Sequence, residues 1–171
     1  MPMRVRAHTP GASPASWRGA CLVALLLVQG PVQAAWFGKL FAGDKPANVG
    51  TGTLAPCPPT PNCVSSLATD PQQRVVPFSV TGRPEVALQL MVEAIGELPN
   101  VRVATFRADY AHLEFTSSIM GFVDDVELKP DASGVIHVRS ASRLGRSDFG
   151  VNRKRVEELR VVTAMKRGAP R

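Results

Sequence analysis

Residues 139–155 hold the densest group of side chains that could do chemistry. They read Arg-Ser-Ala-Ser-Arg-Leu-Gly-Arg-Ser-Asp-Phe-Gly-Val-Asn-Arg-Lys-Arg, which places six cations beside hydroxyls, glycines and one amide. Guanidinium groups suit phosphate and carboxylate because their N–H donors form a planar fork. This run therefore predicts an anion-binding site. The candidate ligand-binding residues are Arg139, Ser140, Arg143, Asp148, Asn152, Arg153, Asp124 and Asp125.

Two other interpretations of the same run stay open. In the first, the cations pair with nearby acids and form a structural clasp between the last helix and a hairpin. In the second, Asp124 or Asp125 is the general acid or base of a hydrolase, or Ser140 or Ser142 is its nucleophile. Neither serine has an assigned base. His137 lies three residues from Ser140 on the same strand and therefore points to the other face of the sheet.

The elements around these residues predict an α+β domain over residues 72–168. A short strand over 74–80 precedes a helix that begins at Pro84 and ends near Pro99, with acids on one stripe and apolar residues on the rest. Four strands with short connections follow, so we expect one curved antiparallel sheet. The predicted strands are 101–107, 110–118, 122–129 and 135–142.

The last predicted helix spans residues 153–166, with Asn152 as its N-cap and Gly168 as its stop. The order strand, helix, four strands, helix places two helices against the sheet. This order is similar to the TATA-binding-protein-like topology.

The turn over residues 130–134 predicts the register of the last hairpin. A five-residue loop there makes Asp125 face Arg139 and Asp124 face Ser140. Asp124 then shares a face with the apolar residues of its strand. It needs a partner, because an unpaired acid on the core side is costly.

Residues 1–34 have the composition of a secretory signal peptide. A basic start, an apolar stretch over 20–28 and the sequence Val-Gln-Ala at 32–34 predict cleavage after Ala34. The apolar stretch is shorter than the roughly 20 residues that a membrane span needs. An uncleaved anchor is the alternative. We predict a periplasmic or secreted protein.

The predicted cleavage changes the charge balance. Three of the 20 Lys and Arg residues and none of the 14 acids lie within 1–34, so the rest carries 17 cations against 14 acids. This small excess, together with export, argues against a nucleic-acid partner. We expect an anionic small molecule or an envelope protein as the partner, and no cofactor.

Cys57 and Cys63 are the cysteines that follow the predicted signal. An even count in an exported chain predicts a disulfide, which contributes roughly 2–3 kcal/mol for so short a loop. Metal binding is the alternative. It needs further ligands, and His112 and His137 lie in strand-like segments without zinc-type spacing to the cysteines. We therefore predict no metal site and interpret both histidines as sheet partners.

Residues 35–71 are rich in Gly, Pro, Thr and Ser, which predicts an extended arm without regular structure. The cysteine loop should pin this arm to the domain. Trp36, Phe37 and Phe41 form an aromatic group at its start. They predict either a free or docked chain end or a peripheral membrane contact.

Three separated segments resemble the domain of unknown function 1499 family, over roughly residues 41–165. The segments are 55–66 (APCPPTPNCVSS), 121–127 (GFVDDVE) and 138–157 (VRSASRLGRSDFGVNRKRVE). Arg146 is one small departure from the pattern. The resemblance implies an exported or envelope-associated bacterial domain with no assigned activity, substrate or cofactor.

These observations favour a periplasmic module that binds an anionic ligand or partner through the Arg, Asn and Asp side chains. An enzyme of the hydrolase type and a purely structural envelope interaction domain are the alternatives. A clasp requires every charge to have an internal partner, whereas a hydrolase requires an acid with a free oxygen in a concave site.

Overall fold

The computed structural model describes residues 41–168 of the 171-residue chain. In this part of the chain six strands form one sheet and two helices accompany it, so the predicted antiparallel α+β fold is confirmed. The TATA-binding-protein-like topology stays a prediction. The predicted signal peptide, Trp36 and Phe37 lie outside the described residues. Within residues 41–168, no helix is long and apolar enough to span a membrane.

The sheet is built from antiparallel neighbours in the order β1-β6-β5-β4-β3, and β2 also pairs with β6. The strands are β1 (Cys63–Ser65), β2 (Phe78–Ser79), β3 (Val101–Arg107), β4 (Tyr110–Thr116), β5 (Val123–Asp131) and β6 (Val135–Ser142). The helices are α1 (Pro84–Gly96) and α2 (Val151–Gly168).

One side of the sheet, the helix face, packs against α1 and α2. Its alternating residues are apolar because every second side chain of a strand points to the same side. The helices add Leu88, Met91, Ile95, Val156 and Leu159, all buried in the same core. The buried apolar strand residues of the helix face are Val64, Phe78, Ala111, Leu113, Val126, Leu128, Ile136 and Val138, and Asp124 and Ser140 are buried polar residues on the same side.

The other side of the sheet, the arm face, is polar, and residues 41–56, here called the arm-face cover, lie against it. Its side chains are Tyr110, His112, Glu114, Asp125, Glu127 and Arg139, each at most 9% exposed. The covering segment contacts this face through backbone. The amide of Gly50 donates to the Tyr110 hydroxyl (2.9 Å), and the Gly52 carbonyl accepts from Lys129 Nζ (2.9 Å).

Two glycines permit this close contact. Gly50 (φ +84°) and Gly52 (φ +107°) both have left-handed backbone, which favours glycine. A side chain at Gly52 would also overlap the guanidinium of Arg107. The segment over residues 41–56 can therefore lie directly on the strands.

The structure corrects two strand predictions. The segment predicted to lack regular structure contributes β1, in which Cys63 pairs with Ala141 and Ser65 with Arg139. The strand predicted over 74–80 is reduced to β2 and to a single bridge between Ser65 and Arg74. Composition gives the wrong prediction for both segments, because an edge strand can form wherever a neighbouring strand offers free backbone groups.

The predicted register of the last hairpin is wrong by two residues. Glu127, not Asp125, faces Arg139, and Asp125 faces Ala141. Likewise Asp124 faces Ser142 instead of Ser140. The strands continue to Asp131 and Val135, so the loop has three residues. A shift of two leaves every side chain on its original face, and the hydrophobic pattern therefore cannot detect it.

The start of α2 also differs from the prediction. The helix begins at Val151, so Asn152 is a helical residue and not the N-cap. Asp148 performs the capping: its carboxylate accepts from the amides of Gly150 (3.0 Å) and Asn152 (2.8 Å). Asn152 is fully buried, and its side-chain amide makes hydrogen bonds inside the domain.

Candidate functional site

The arm face contains a buried chain of three polar side chains. Glu127, fully buried, accepts from the Tyr110 hydroxyl and from Arg139 Nη1 (3.0 Å). β4, β5 and β6 bring these residues together side by side. The Nε of Arg139 is buried and has no hydrogen-bond partner among residues 41–168. This arrangement neutralises the charge of Arg139 inside the protein.

A second buried network lies beside the first. Asp125 accepts from Arg143 Nε (2.9 Å) and Nη2 (2.7 Å), and one of its oxygens is 2.7 Å from His112 Nε2. The same Arg143 Nη2 also donates to Glu114 (2.7 Å), which pairs on its outer side with Arg102. Two guanidiniums thus balance two carboxylates.

The ionisation of these groups follows from their contacts. Burial alone raises the pKa of Asp125, but the hydrogen bonds from His112 and Arg143 outweigh it and leave this pKa below its usual value. Burial and the bonds from Arg143 and Arg102 act on Glu114 in the same way, with a lowered pKa. Both acids are therefore carboxylates in the folded protein at neutral pH.

The hydroxyl of Tyr110 shows the opposite effect. Burial first, and then its hydrogen bond to the Glu127 carboxylate, raise its pKa well above the usual range. Tyr110 therefore stays a neutral donor.

His112, Glu114 and Asp125 form the one grouping of metal-type ligands found within residues 41–168, with ligand atoms within 4.8 Å of one another. The guanidinium of Arg143 bonds to both carboxylates and already supplies their positive charge. A divalent ion would have to displace it or lie against it. The geometry therefore favours the Arg143 side chain, and not a metal ion, as the cation that neutralises these two carboxylates.

A third network lies on the helix side, at the end of β6. Asp124 pairs with Arg155 Nη2, and Ser140 donates to the side chain of Asn152. Asn152 Nδ2 lies 2.9 Å from the Ser142 hydroxyl and 3.1 Å from the Asn62 carbonyl. These contacts fasten the start of α2 to the sheet and to the residue before Cys63.

The disulfide between Cys57 and Cys63 is present, which confirms that prediction. Cys63 is buried and opens β1. The crosslink therefore closes the short loop that leads from the arm-face cover into the sheet.

Arg153 differs from the other predicted contacts. Its guanidinium donates to the carbonyls of Arg74 (2.9 Å) and Gln72 (2.6 Å), and the residue is exposed. Arg139, Arg143 and Arg155 instead bind carboxylates. Among the predicted contacts, Arg153 therefore has hydrogen-bond partners that are uncharged.

The eight predicted ligand-binding residues are therefore divided among separate places. Arg139, Arg143 and Asp125 lie on the arm face, whereas Asp124, Ser140, Asn152 and Asp148 lie around the start of α2. These seven have internal partners, as the clasp interpretation requires, whereas Arg153 donates to neutral carbonyls. Both oxygens of Asp125 are bonded, and Ser140 contacts Asn152, so the contacts of these two candidates favour structural roles over catalysis.

A groove of about 390 Å³ opens between the loop after β4 and the loop after β6. Four exposed apolar side chains line it, and two more, Ile119 and Met120, lie in the loop after β4 that borders it; these six are here called the apolar rim. Ile119 and Phe149 are the most exposed, at 93% and 98%. The apolar rim comprises Ile119, Met120, Phe122, Leu144, Phe149 and Val151.

Several members of these networks are absent from the candidate ligand-binding residues. Arg155 is the partner of Asp124, a pairing between the last helix and the hairpin that the clasp interpretation predicts. Tyr110, Glu114 and Glu127 belong to the buried arm face. The signal was present as polar residues at alternate positions of β4 and β5. Such alternation usually indicates that the polar side of a sheet faces solvent, and the residues of β4 and β5 do not indicate that another segment covers this side.

Comparison with known protein families adds one match. The model of a family described as "Protein of unknown function (DUF1499)" matches residues 53–161, well over half of the chain. The chain belongs to this family. No curated protein matches it. The matched range starts within the arm-face cover and ends within α2, so it includes all three networks.

Proposed function

We propose that this member of the family is an exported, non-catalytic module of the bacterial cell envelope that binds at a membrane surface through its apolar rim. The observation that carries the proposal is the exposure of Ile119 and Phe149 at the tips of two neighbouring loops. Large exposed apolar patches mark interaction sites, because water contact with them is unfavourable.

The backbone at Phe149 supports this proposal. Phe149 has φ +53°, a conformation that is strained for a bulky side chain. The Ser147 hydroxyl accepts from its amide, and Asp148 holds the next residue, Gly150. The loop thus keeps the aromatic ring exposed to water, although both this exposure and the backbone conformation are unfavourable for phenylalanine. Strained conformations of this kind are common at functional sites.

A lipid surface is the occupant that fits best for two reasons. Side chains at the tips of loops are suited to insertion into a surface, whereas a peptide ligand would occupy the groove below them. The chain also enters the described domain here: the ring of Phe41 packs edge-on against Phe122, with centroids 5.7 Å apart. Trp36 and Phe37 precede it, and Trp prefers the membrane interface.

Vesicle flotation tests this proposal. Purified protein is mixed with vesicles of phosphatidylethanolamine and phosphatidylglycerol, and the bound fraction is measured. The variant Ile119→Ser with Phe149→Asn should bind at least tenfold more weakly, because burial of each side chain contributes roughly 1.5–3 kcal/mol. Asn tolerates positive φ, so Phe149→Asn should not destabilise the fold.

The matched control replaces Val161 and Met165 with Ser. Both are exposed apolar residues of α2, ten or more residues beyond Val151. The control should float like the natural chain. Absence of flotation by the natural chain would overturn the proposal. A dimer in solution that dissociates in the rim variant would assign the rim to a second copy instead.

Export is tested separately. Expression of the whole chain in a bacterium, followed by mass measurement of the periplasmic and membrane fractions, should give a protein that begins at Ala35. A chain that retains residue 1 in the cytoplasm would contradict this part of the proposal.

A further inference from the structure

A second surface feature, away from the apolar rim, lies between α2 and the segment before β2. It is a groove of about 490 Å³, here called the arginine groove. Its charged side chains are Arg74, Arg153 and Glu157, and Ser66 lies at one side. Pro71, Val76 and Pro77 supply apolar walls.

The two guanidiniums of the groove are held by neutral groups. Arg74 donates to the carbonyls of Ala68 (2.8 Å) and Thr69 (3.3 Å), and Arg153 donates to those of Arg74 and Gln72. Carbonyl oxygens fix the orientation of a guanidinium without cancelling its charge. Each arginine has five N–H donors, so donors remain for a ligand.

The local charge is positive. Glu157 is the acid of the groove, and it is 3.0 Å from Arg160 on the next turn of α2. Arg160 also donates to the carbonyls of Val76 (2.8 Å) and Pro77 (3.2 Å). Three arginines and one glutamate give a formal charge of +2 on one side of the domain. Arg153 moreover lies in the first turn of a helix, where an anion is favoured.

We propose that the arginine groove binds an oxyanion, either a phosphate or a carboxylate group, through Arg74 and Arg153. The arginines are oriented before the ligand arrives, which reduces the entropic cost of binding. The exposed side chain of Val76 gives an apolar substituent of the ligand a surface to contact. This proposal is independent of membrane binding and involves none of the residues of the apolar rim.

The test is a titration of the natural chain with inorganic phosphate and, separately, with acetate, at constant ionic strength maintained with chloride. The Nε–H resonances of Arg74 and Arg153 are followed by NMR. We expect saturable shifts of these two signals, and the anion with the larger effect identifies the ligand class. Shifts spread equally over all exposed cations would overturn the proposal.

Three variants separate binding from stability. Glu157→Gln removes the negative charge of the groove and should tighten binding about threefold, the effect of one unit charge across a solvated groove. Arg153→Lys keeps the charge but loses the fork, and should weaken binding. Lys154→Gln is the matched control, because Lys154 is exposed on the same turn and pairs with Glu158. It should bind like the natural chain, and a Glu157→Gln variant that binds no more tightly would contradict the proposal.

Discussion

The central strands of the sheet are buried on both faces, but different forces stabilise the two sides. On the helix face, residues such as Leu113 and Leu128 pack against apolar helices, and the hydrophobic effect stabilises them whatever their detailed orientation. On the arm face, Glu127 and Asp125 are stable only in contact with Arg139 and Arg143. The difference shows that the burial of a residue does not by itself indicate what that residue contributes to the stability of the fold.

The two faces should differ in how mutation and pH change their stability. A buried ion pair adds little net free energy compared with apolar residues of the same size, but removal of one partner is costly. We therefore expect the arm face to be more sensitive than the helix face to pH and to single charge deletions.

Acidification should have the largest effect. The pKa of Asp125, of Glu114 and of the capping residue Asp148 lies below the usual value in the folded protein. A lowered pKa stabilises the folded state above the unfolded-state pKa of about 4, and this contribution is lost as pH falls through the folded-state pKa. The free energy of unfolding should therefore fall steeply below about pH 4.

Urea unfolding between pH 7 and pH 2.5 measures this dependence. Amide exchange should increase earlier at Gly50 and Gly52, which cover the arm face, than at Met91 in α1. Equal sensitivity of both regions to acid would remove the distinction between the faces.

Removal of Arg139 should have the largest effect among single substitutions. Arg139→Ala leaves the fully buried Glu127 without its cation and should lower the free energy of unfolding by about 3–5 kcal/mol. The double variant Arg139→Leu with Glu127→Leu should recover at least half of this loss, because it removes both charges. A double variant as unstable as Arg139→Ala alone would show that the pair itself stabilises the fold.

Reduction of the disulfide should have a smaller effect. The Cys57–Cys63 bond closes a loop with a sequence separation of 6, and its loss should lower the free energy of unfolding by roughly 2–3 kcal/mol. The variant Cys57→Ser with Cys63→Ser, unfolded with urea, provides the measurement. Because β1 lies beside the arm-face cover, exchange at Gly50 should rise more than exchange in α1. An unchanged midpoint would contradict this expectation.

Replacement of Arg102 should change stability least. Arg102 binds Glu114 as Arg143 does, but its side chain is 67% exposed against 8% for Arg143. Arg102→Gln should therefore change the free energy of unfolding by less than about 1 kcal/mol. Arg143→Gln, measured in the same way, should cost several times more. Equal losses would mean that burial does not govern the strength of these pairs.

The last hairpin shows what the alternation of residues along a strand can predict and what it cannot. Alternation in β5 and β6 places Asp125 and Arg139 on one face and Val126 and Val138 on the other, as the structure has them. The same alternation is satisfied by two registers that differ by two residues, and the register decides which acid Arg139 meets. The extent of the strands past Pro130, which only the fold reveals, selects between them.

The start of α2 illustrates a second limit. Asn152 and Asp148 are both good capping residues, and either could begin a helix in this sequence. The choice depends on Asn62, Ser140 and Ser142, which bind the Asn152 side chain from distant parts of the chain. Local propensity cannot include contacts 10 to 90 residues away.

From the amino-acid sequence we could predict the class of fold, the type and approximate extent of the main helices and strands, the disulfide and the family. Each of these follows from local periodicity, composition or a short motif. The folded arrangement shows in addition that residues 41–56 cover a polar face, that Glu127 is the partner of Arg139, and that Arg153 donates to neutral carbonyls. The physical reason is that charge pairing depends on distances between atoms far apart in the chain, which a one-dimensional pattern does not contain.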